Sequence, residues 1–270
     1  MALHDEAVHM QHLLDALAAA ANGVVKRLWT SVDGDQAQIE QNYPNAIQPF
    51  LGASSGLAAQ WYHNQAPNTG FAVRTIAPPP AEQLQANVRW AFSDNPFGTL
   101  SQDEAKPTKP PSPFEALSQS ANRQVYNANR DTITTNANRE KVMYARFAGP
   151  TACAFCRILA TRGPVYSGKG IVTDPQTGQQ HMTVIGHRGT RKPGTDYHDN
   201  CKCLAIPVRP GKTYHPPGYV DAWQHDYEIA FKDPDTHTFK DIVNHMRRQE
   251  YHADKLAGAL SESGLTQTVT

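Results

Sequence analysis

The sequence predicts an α+β protein in four parts. These are a helical N-terminal domain over residues 1–93, a Pro-rich linker over 94–113, a small mixed α/β module with a Cys/His cluster over 114–208, and a helical C-terminal tail over 209–270. Three observations predict this. Apolar residues recur at helical spacing near both ends of the chain. Pro107, Pro110, Pro111 and Pro113 crowd one polar stretch. All four cysteines fall in a single 51-residue window, from Cys153 to Cys203.

Taken in order, residues 4–29 place Met10, Leu13, Leu14, Leu17, Val24, Val25 and Leu28 at the three- and four-residue steps of an amphipathic helix, weakened in its second half by Gly23. This helix has a face with which to pack in its own domain or dock on a partner. A second helix is expected over 35–42, stopping before Pro44, and a third over 55–64 with Leu57, Trp61 and Tyr62. Residues 70–76 alternate as a short strand does. Pro78, Pro79 and Pro80 punctuate, and 82–92 reads as a helix with Leu84, Val88 and Phe92 on one side.

Beyond the linker, residues 114–140 are long and polar, with Leu117, Val125, Ala128 and Ile133 as a thin apolar stripe. That pattern predicts a helix with a narrow contact face. Segments 142–147 and 204–208 have strand composition, and 182–185 reads as a hairpin strand. Helical periods return over 220–231, with Trp223, Tyr227 and Phe231, and over 238–260, with Phe239, Ile242, Val243, Met246 and Tyr251. The last ten residues read as a frayed end.

Twenty-five basic residues balance twenty-five acidic ones, which argues against a general electrostatic nucleic-acid binder. No run approaches the roughly 20 apolar residues of a membrane span. The start, Met-Ala-Leu-His-Asp-Glu, lacks the basic region of a signal peptide, so a cytosolic site of synthesis is expected. In a reducing cytosol, clustered cysteines favour metal or free thiols over disulfides.

The cysteines form two groups: Cys153-Ala-Phe-Cys156, and His198-Asp-Asn-Cys201-Lys-Cys203. A CxxC brings two sulfurs within reach of one ion, and an extended Cys-x-Cys puts two side chains on one face. Cys153, Cys156, His198, Cys201 and Cys203 are therefore five candidate ligands for four tetrahedral positions. Cys153, Cys156 and Cys201 form the core of the set, with His198 or Cys203 as the fourth. Zinc held there would be structural and would tie off a loop-rich insert, with roughly 10–16 kcal/mol available on the scale of zinc-finger peptides. Free thiols or a disulfide are the competing readings.

A nucleophile is sought in three places. Gly52-Ala-Ser54-Ser-Gly56 spells G-x-S-x-G, but without the preceding strand that a nucleophile elbow needs. Ser167 with His187 or His198 is a second set, and Cys153 or Cys156 with His198 a third. Asp221, Asp226 and Glu228 read as a solvated helix face, and Trp223, Tyr227 and Phe231 as core packing. Lys240, Arg247, Arg248 and Lys255 also read as a solvated face, with contact to DNA or to an acidic surface as the alternative.

The run Arg146-Phe-Ala-Gly-Pro-Thr-Ala-Cys153-Ala-Phe-Cys156, then Arg162-Gly-Pro-Val-Tyr-Ser167, then Tyr197-His198-Asp-Asn-Cys201-Lys-Cys203 resembles the Mu F-like minor capsid (head morphogenesis) proteins of tailed bacteriophages. The likeness is greatest to an actinobacteriophage branch often labelled capsid maturation proteases. Lys202 stands where that family usually has arginine, and the helix from Asn129-Arg130 to Asn138-Arg139 falls where the family has one. The likeness covers about residues 114–208 well. It implies a minor capsid protein acting in head (procapsid) assembly beside the portal. Portal, scaffold and major capsid proteins would be its partners, with a DNA contact at the portal vertex as a further one. It would be located in the host cytoplasm during assembly and then in the procapsid or virion head. The alternative it implies is a protease that trims scaffold or major capsid protein.

Overall fold

The computed structural model describes residues 3–93, 111–164, 171–173, 180–182, 201–234, 236, 238 and 241–248. The order is α1 (Leu3–Ser31), α2 (Gln36–Asn64), α3 (Ala81–Ala91), α4 (Pro113–Glu140), β1 (Met143–Phe147), α5 (Ala154–Ala160), β2 (Ile171–Thr173), β3 (Gln180–Met182), β4 (Leu204–Val208) and α6 (Tyr219–Lys232). A last helix, α7, covers 241–248. The class is α+β, mostly helical, with a small antiparallel sheet.

Helix α1 buries Ala7, Met10, Leu14, Ala18, Ala21 and Val25, one continuous stripe at steps of three and four. The stripe packs on α2 and α4. The turn that follows needs Gly34: at φ +73° a Cβ there would meet the Trp29 ring at 3.0 Å. Asp35 then caps α2, its carboxylate accepting from the Gln38 N–H at 2.8 Å.

Helix α2 runs unbroken through Pro44 and Pro49, so the two helices expected over 35–42 and 55–64 are one. Each proline forfeits a backbone hydrogen bond and crowds the carbonyl four residues earlier, on the order of 3 kcal/mol apiece. Burial outweighs that cost, because Tyr43, Pro44, Ile47 and Leu51 all lie in the core. The G-x-S-x-G stretch sits in the middle of this helix and not on a strand-to-helix elbow. The Ser54 hydroxyl is fully buried and donates to the Val125 carbonyl at 2.6 Å, and Ser55 donates to Ala128 at 3.3 Å. These hydroxyls tie α2 to α4.

Helix α4 is the centre of the molecule. A capping box, Ser112 with Glu115, starts it, and Lys141 in the left-handed region ends it. Its contact face is broad: Ser120, Gln124, Asn129, Arg130, Thr132 and Asn136 are buried beside its apolar residues. Polarity made the face look narrow from sequence; hydrogen bonding is what lets such groups go inside. Asn136 shows how. Its side chain donates to the Arg74 carbonyl at 2.7 Å and accepts from the Arg74 N–H at 2.9 Å, pairing with the 70–76 segment as a neighbouring strand would. That segment is consequently held without belonging to a sheet.

Strands β1 and β4 pair antiparallel, from Met143 opposite Val208 to Phe147 opposite Leu204. Four of the five β1 residues and all five of β4 are buried. Beyond β4, Arg209 donates to both oxygens of Glu140 at 2.8 and 3.0 Å, and the Tyr62 hydroxyl donates to the same carboxylate at 2.6 Å. β2 and β3 form a separate pair, Ile171 opposite Met182. The strand expected at 182–185 thus overlaps β3 at Met182, and 183–185 lie outside the described residues.

One hydrophobic cluster draws on α1, α2, α3, α4, β1 and β4 together. Helix α4, which follows the proline-rich stretch, completes the core begun by α1 to α3. The C-terminal helices sit apart from this cluster. Val220 and Trp223 of α6 pack on Cys156, Cys201 and Cys203, while Ile242, Val243 and Met246 of α7 pack with Ala154, Ile158 and Ala230. The aromatic stripe of α6 splits accordingly: Trp223 is buried, Tyr227 partly so, and Phe231 is 64% exposed.

Candidate metal centre

The first cysteine pair lies at the start of α5, not on the rim of a free turn. Cys153 occupies the N-cap position and Cys156 the first helical turn, where the three-residue step brings them to the same end of the helix. The second pair leads into β4. There Cys201 and Cys203 are buried while Lys202 between them is exposed, the alternation of an extended segment. The β1–β4 ladder fixes that segment beside the chain entering α5.

The two pairs meet. The sulfurs of Cys156, Cys201 and Cys203 all lie within 4.8 Å of one another, and all three residues are buried. The sulfurs of Cys156 and Cys201 lie 3.2 Å apart. That is too long for a disulfide bond of about 2.05 Å, and none of the four cysteines is in a disulfide. It is near the spacing of about 3.8 Å that bonds of about 2.3 Å to a tetrahedral zinc would set. Cys153 is partly buried and packs against the same cluster. His198 lies outside the described residues, as do Ser167 and His187.

The thiols differ in character. Cys156 is pushed well above the ordinary thiol value, first by hydrogen bonding with Cys153, then by Cys201, Cys203 and burial. Cys201 moves the opposite way: hydrogen bonds with Cys156 and Cys203 hold it down, assisted by the positive charge of Arg130. At Cys203, Cys156 pulls downward but Cys201 and burial win, so its thiol is raised. Buried thiols hydrogen-bonded to one another form a donor set that a divalent cation can take over by displacing their protons. The donor set fits zinc.

The residues around the cluster were not singled out as site residues from sequence. Arg130 and Arg146 are almost completely buried, and Trp223 closes the cluster from α6. Arg157 lies over the Trp223 ring at 5.5 Å and Arg162 over Tyr227 at 4.1 Å, fastening α6 to the chain that carries the CxxC. Arg130 stands among polar residues of α4, three residues before Ile133, and only burial distinguishes it from a surface arginine.

A cavity of about 230 Å³ opens beside Cys201 between α1 and α4. Its polar lining is already engaged internally. Asp15 accepts from the Tyr126 hydroxyl at 2.8 Å and pairs with Lys202 at 2.7 Å, and Asn22 donates to Asn122 at 2.7 Å. Among the described residues no helix is long and apolar enough to cross a membrane.

No curated protein and no solved structure matches the chain. The VG15 protein family matches it over residues 1–230, which takes in all of the shared core, the four cysteines and most of α6. The chain belongs to the VG15 protein family, a family of viral (phage) proteins.

Proposed function

We propose that this chain is a bacteriophage minor capsid protein acting in head (procapsid) assembly at the portal, with a structural zinc in its cysteine module. Cys156, Cys201 and Cys203 supply three ligands, and Cys153 or His198 the fourth. The observation that carries the reading is the burial of Cys156, Cys201 and Cys203 in one cluster beneath α6. The motif that resembles the Mu F-like proteins thereby becomes a packed junction between the helical core and the C-terminal helices. A closed set of thiols suits a structural ion, which needs no open coordination position. Its partners in this reading are portal, scaffold and major capsid proteins.

Nothing in the described residues favours the protease alternative: Ser54, the one serine in a hydrolase-like motif, is buried in mid-helix and bonded to a carbonyl. The test is co-expression with the portal, scaffold and major capsid proteins, followed by intact-mass analysis of purified particles. Wild type is run beside Cys156→Ser and Ser167→Ala. Co-purification of an uncut chain, with scaffold and capsid masses unchanged, is the expected result. Trimming that depends on this chain and disappears with Ser167→Ala in a folded protein would replace assembly with proteolysis.

A further inference from the structure

Helix α4 reaches the cysteine cluster with a buried arginine. Arg130 is 1% exposed. Its Nε donates to the Tyr126 carbonyl one turn back at 3.1 Å, which fixes the plane of the guanidinium. Its Nη1 donates to the carbonyls of both Cys201 and Cys203, at 3.3 and 3.4 Å. Carbonyls two residues apart on an extended segment point the same way, so one nitrogen held between them sets how that segment lies. The two sulfurs ride on the same segment.

We propose that Arg130 is a positioning residue for the metal centre, clamping the Cys201-Lys202-Cys203 backbone so that both thiolates converge with Cys156 and placing its charge against the anionic complex. The inference rests on the zinc reading above. A divalent ion with three thiolates carries one net negative charge, and with four thiolates two. Burying such a charge is costly unless cations lie close. Arg130 is one such cation, and the fully buried Arg146, opposite Ala205 next to the ligand segment, is another. Arginine suits this task better than lysine because its fork is planar and keeps its charge when buried.

The test measures metal affinity of the full chain by competition with a chromophoric chelator, for wild type, Arg130→Lys and Arg130→Met. The d–d and sulfur-to-metal bands of the Co²⁺-loaded proteins are recorded as well. Arg130→Met is expected to bind zinc about 10–100-fold more weakly, the range seen when groups supporting metal ligands are removed. Arg130→Lys, which keeps the charge and loses the fork, is expected to fall between, with displaced Co²⁺ bands. Should Arg130→Met fail to fold, Arg130→Lys decides: a folded protein with wild-type affinity and wild-type bands overturns the inference. Wild type that binds while both variants match it also overturns the inference and leaves the zinc reading intact. Wild type that takes up neither zinc nor cobalt removes the zinc reading and this inference with it.

Discussion

Glu140 ends α4 inside a three-way lock. Its carboxylate takes two hydrogen bonds from Arg209 and one from Tyr62, and the Arg209 guanidinium lies 4.5 Å from the Tyr62 ring centroid. Burial alone would raise its pKa; the bonds from Arg209 and Tyr62 outweigh burial and hold it below the ordinary 4.5. A carboxyl group whose folded pKa lies below its unfolded one stabilises the fold above the unfolded value. That stability drains away as the pH falls through the folded one. Glu140→Gln is expected to cost about 2 kcal/mol near neutral pH, as for a hydrogen bond to a charged group. In strong acid the two proteins should converge. Urea unfolding at neutral and acidic pH checks this, and an equal gap at both would show that Glu140 acts by shape alone. The same scale explains what the sequence hid about the site. Cys156, Cys201 and Cys203 were legible because cysteine spacing is a chemical pattern. Arg130 was not, because an arginine inside a polar helix looks like any solvated charge until its partners are placed.

At the scale of the element, periodicity served well wherever local and tertiary forces agreed. Helices α1 and α3 and strands β1 and β4 follow their apolar spacing closely. Helix α2 is where the two disagree. Pro44 and Pro49 are local stop signals, and only packing against α1, α3 and α4 lets one helix run through both. Pro44 is buried and contributes contact, whereas Pro49 is exposed and gives little back. Pro49→Ala is therefore expected to stabilise the protein by roughly 1–3 kcal/mol, restoring one backbone bond at the expense of a looser unfolded chain. A thermal melt that rises by several degrees would bear this out; a fall would mean that the proline is needed where it stands. The breadth of α4 was hidden for a related reason. Asn136 is polar in the sequence, and its partner Arg74 comes from a segment that the local pattern does not name.

For the whole molecule, the structure separates a helical body from a C-terminal attachment. Helix α6 and helix α7 meet the rest through α5 and the cysteine cluster, with the Tyr219 hydroxyl donating to Ala148 at 2.8 Å as an added tie. If the proposed zinc is bound, chelating it should consequently loosen residues 148–164, 201–234 and 241–248 first, while α1 to α4 keep their protection. Hydrogen exchange of the full chain before and after chelation reads this directly. Simultaneous loss of protection in both parts would mean that the cluster supports the helical body as well.

Helix α4 has one more consequence, which concerns time. It closes the core for α1, α2 and α3, yet it lies after them in the chain. While a ribosome makes the 47 residues from Asp94 to Glu140, at roughly 5–20 residues per second, three helices wait for several seconds with their inner faces uncovered. A fragment ending at Ser93 is expected to stay loosely packed or to aggregate, and one that melts cooperatively on its own would show that the first three helices need no partner. For a protein made during infection, that interval is when chaperones, or another viral chain, have access to surfaces that the finished fold conceals.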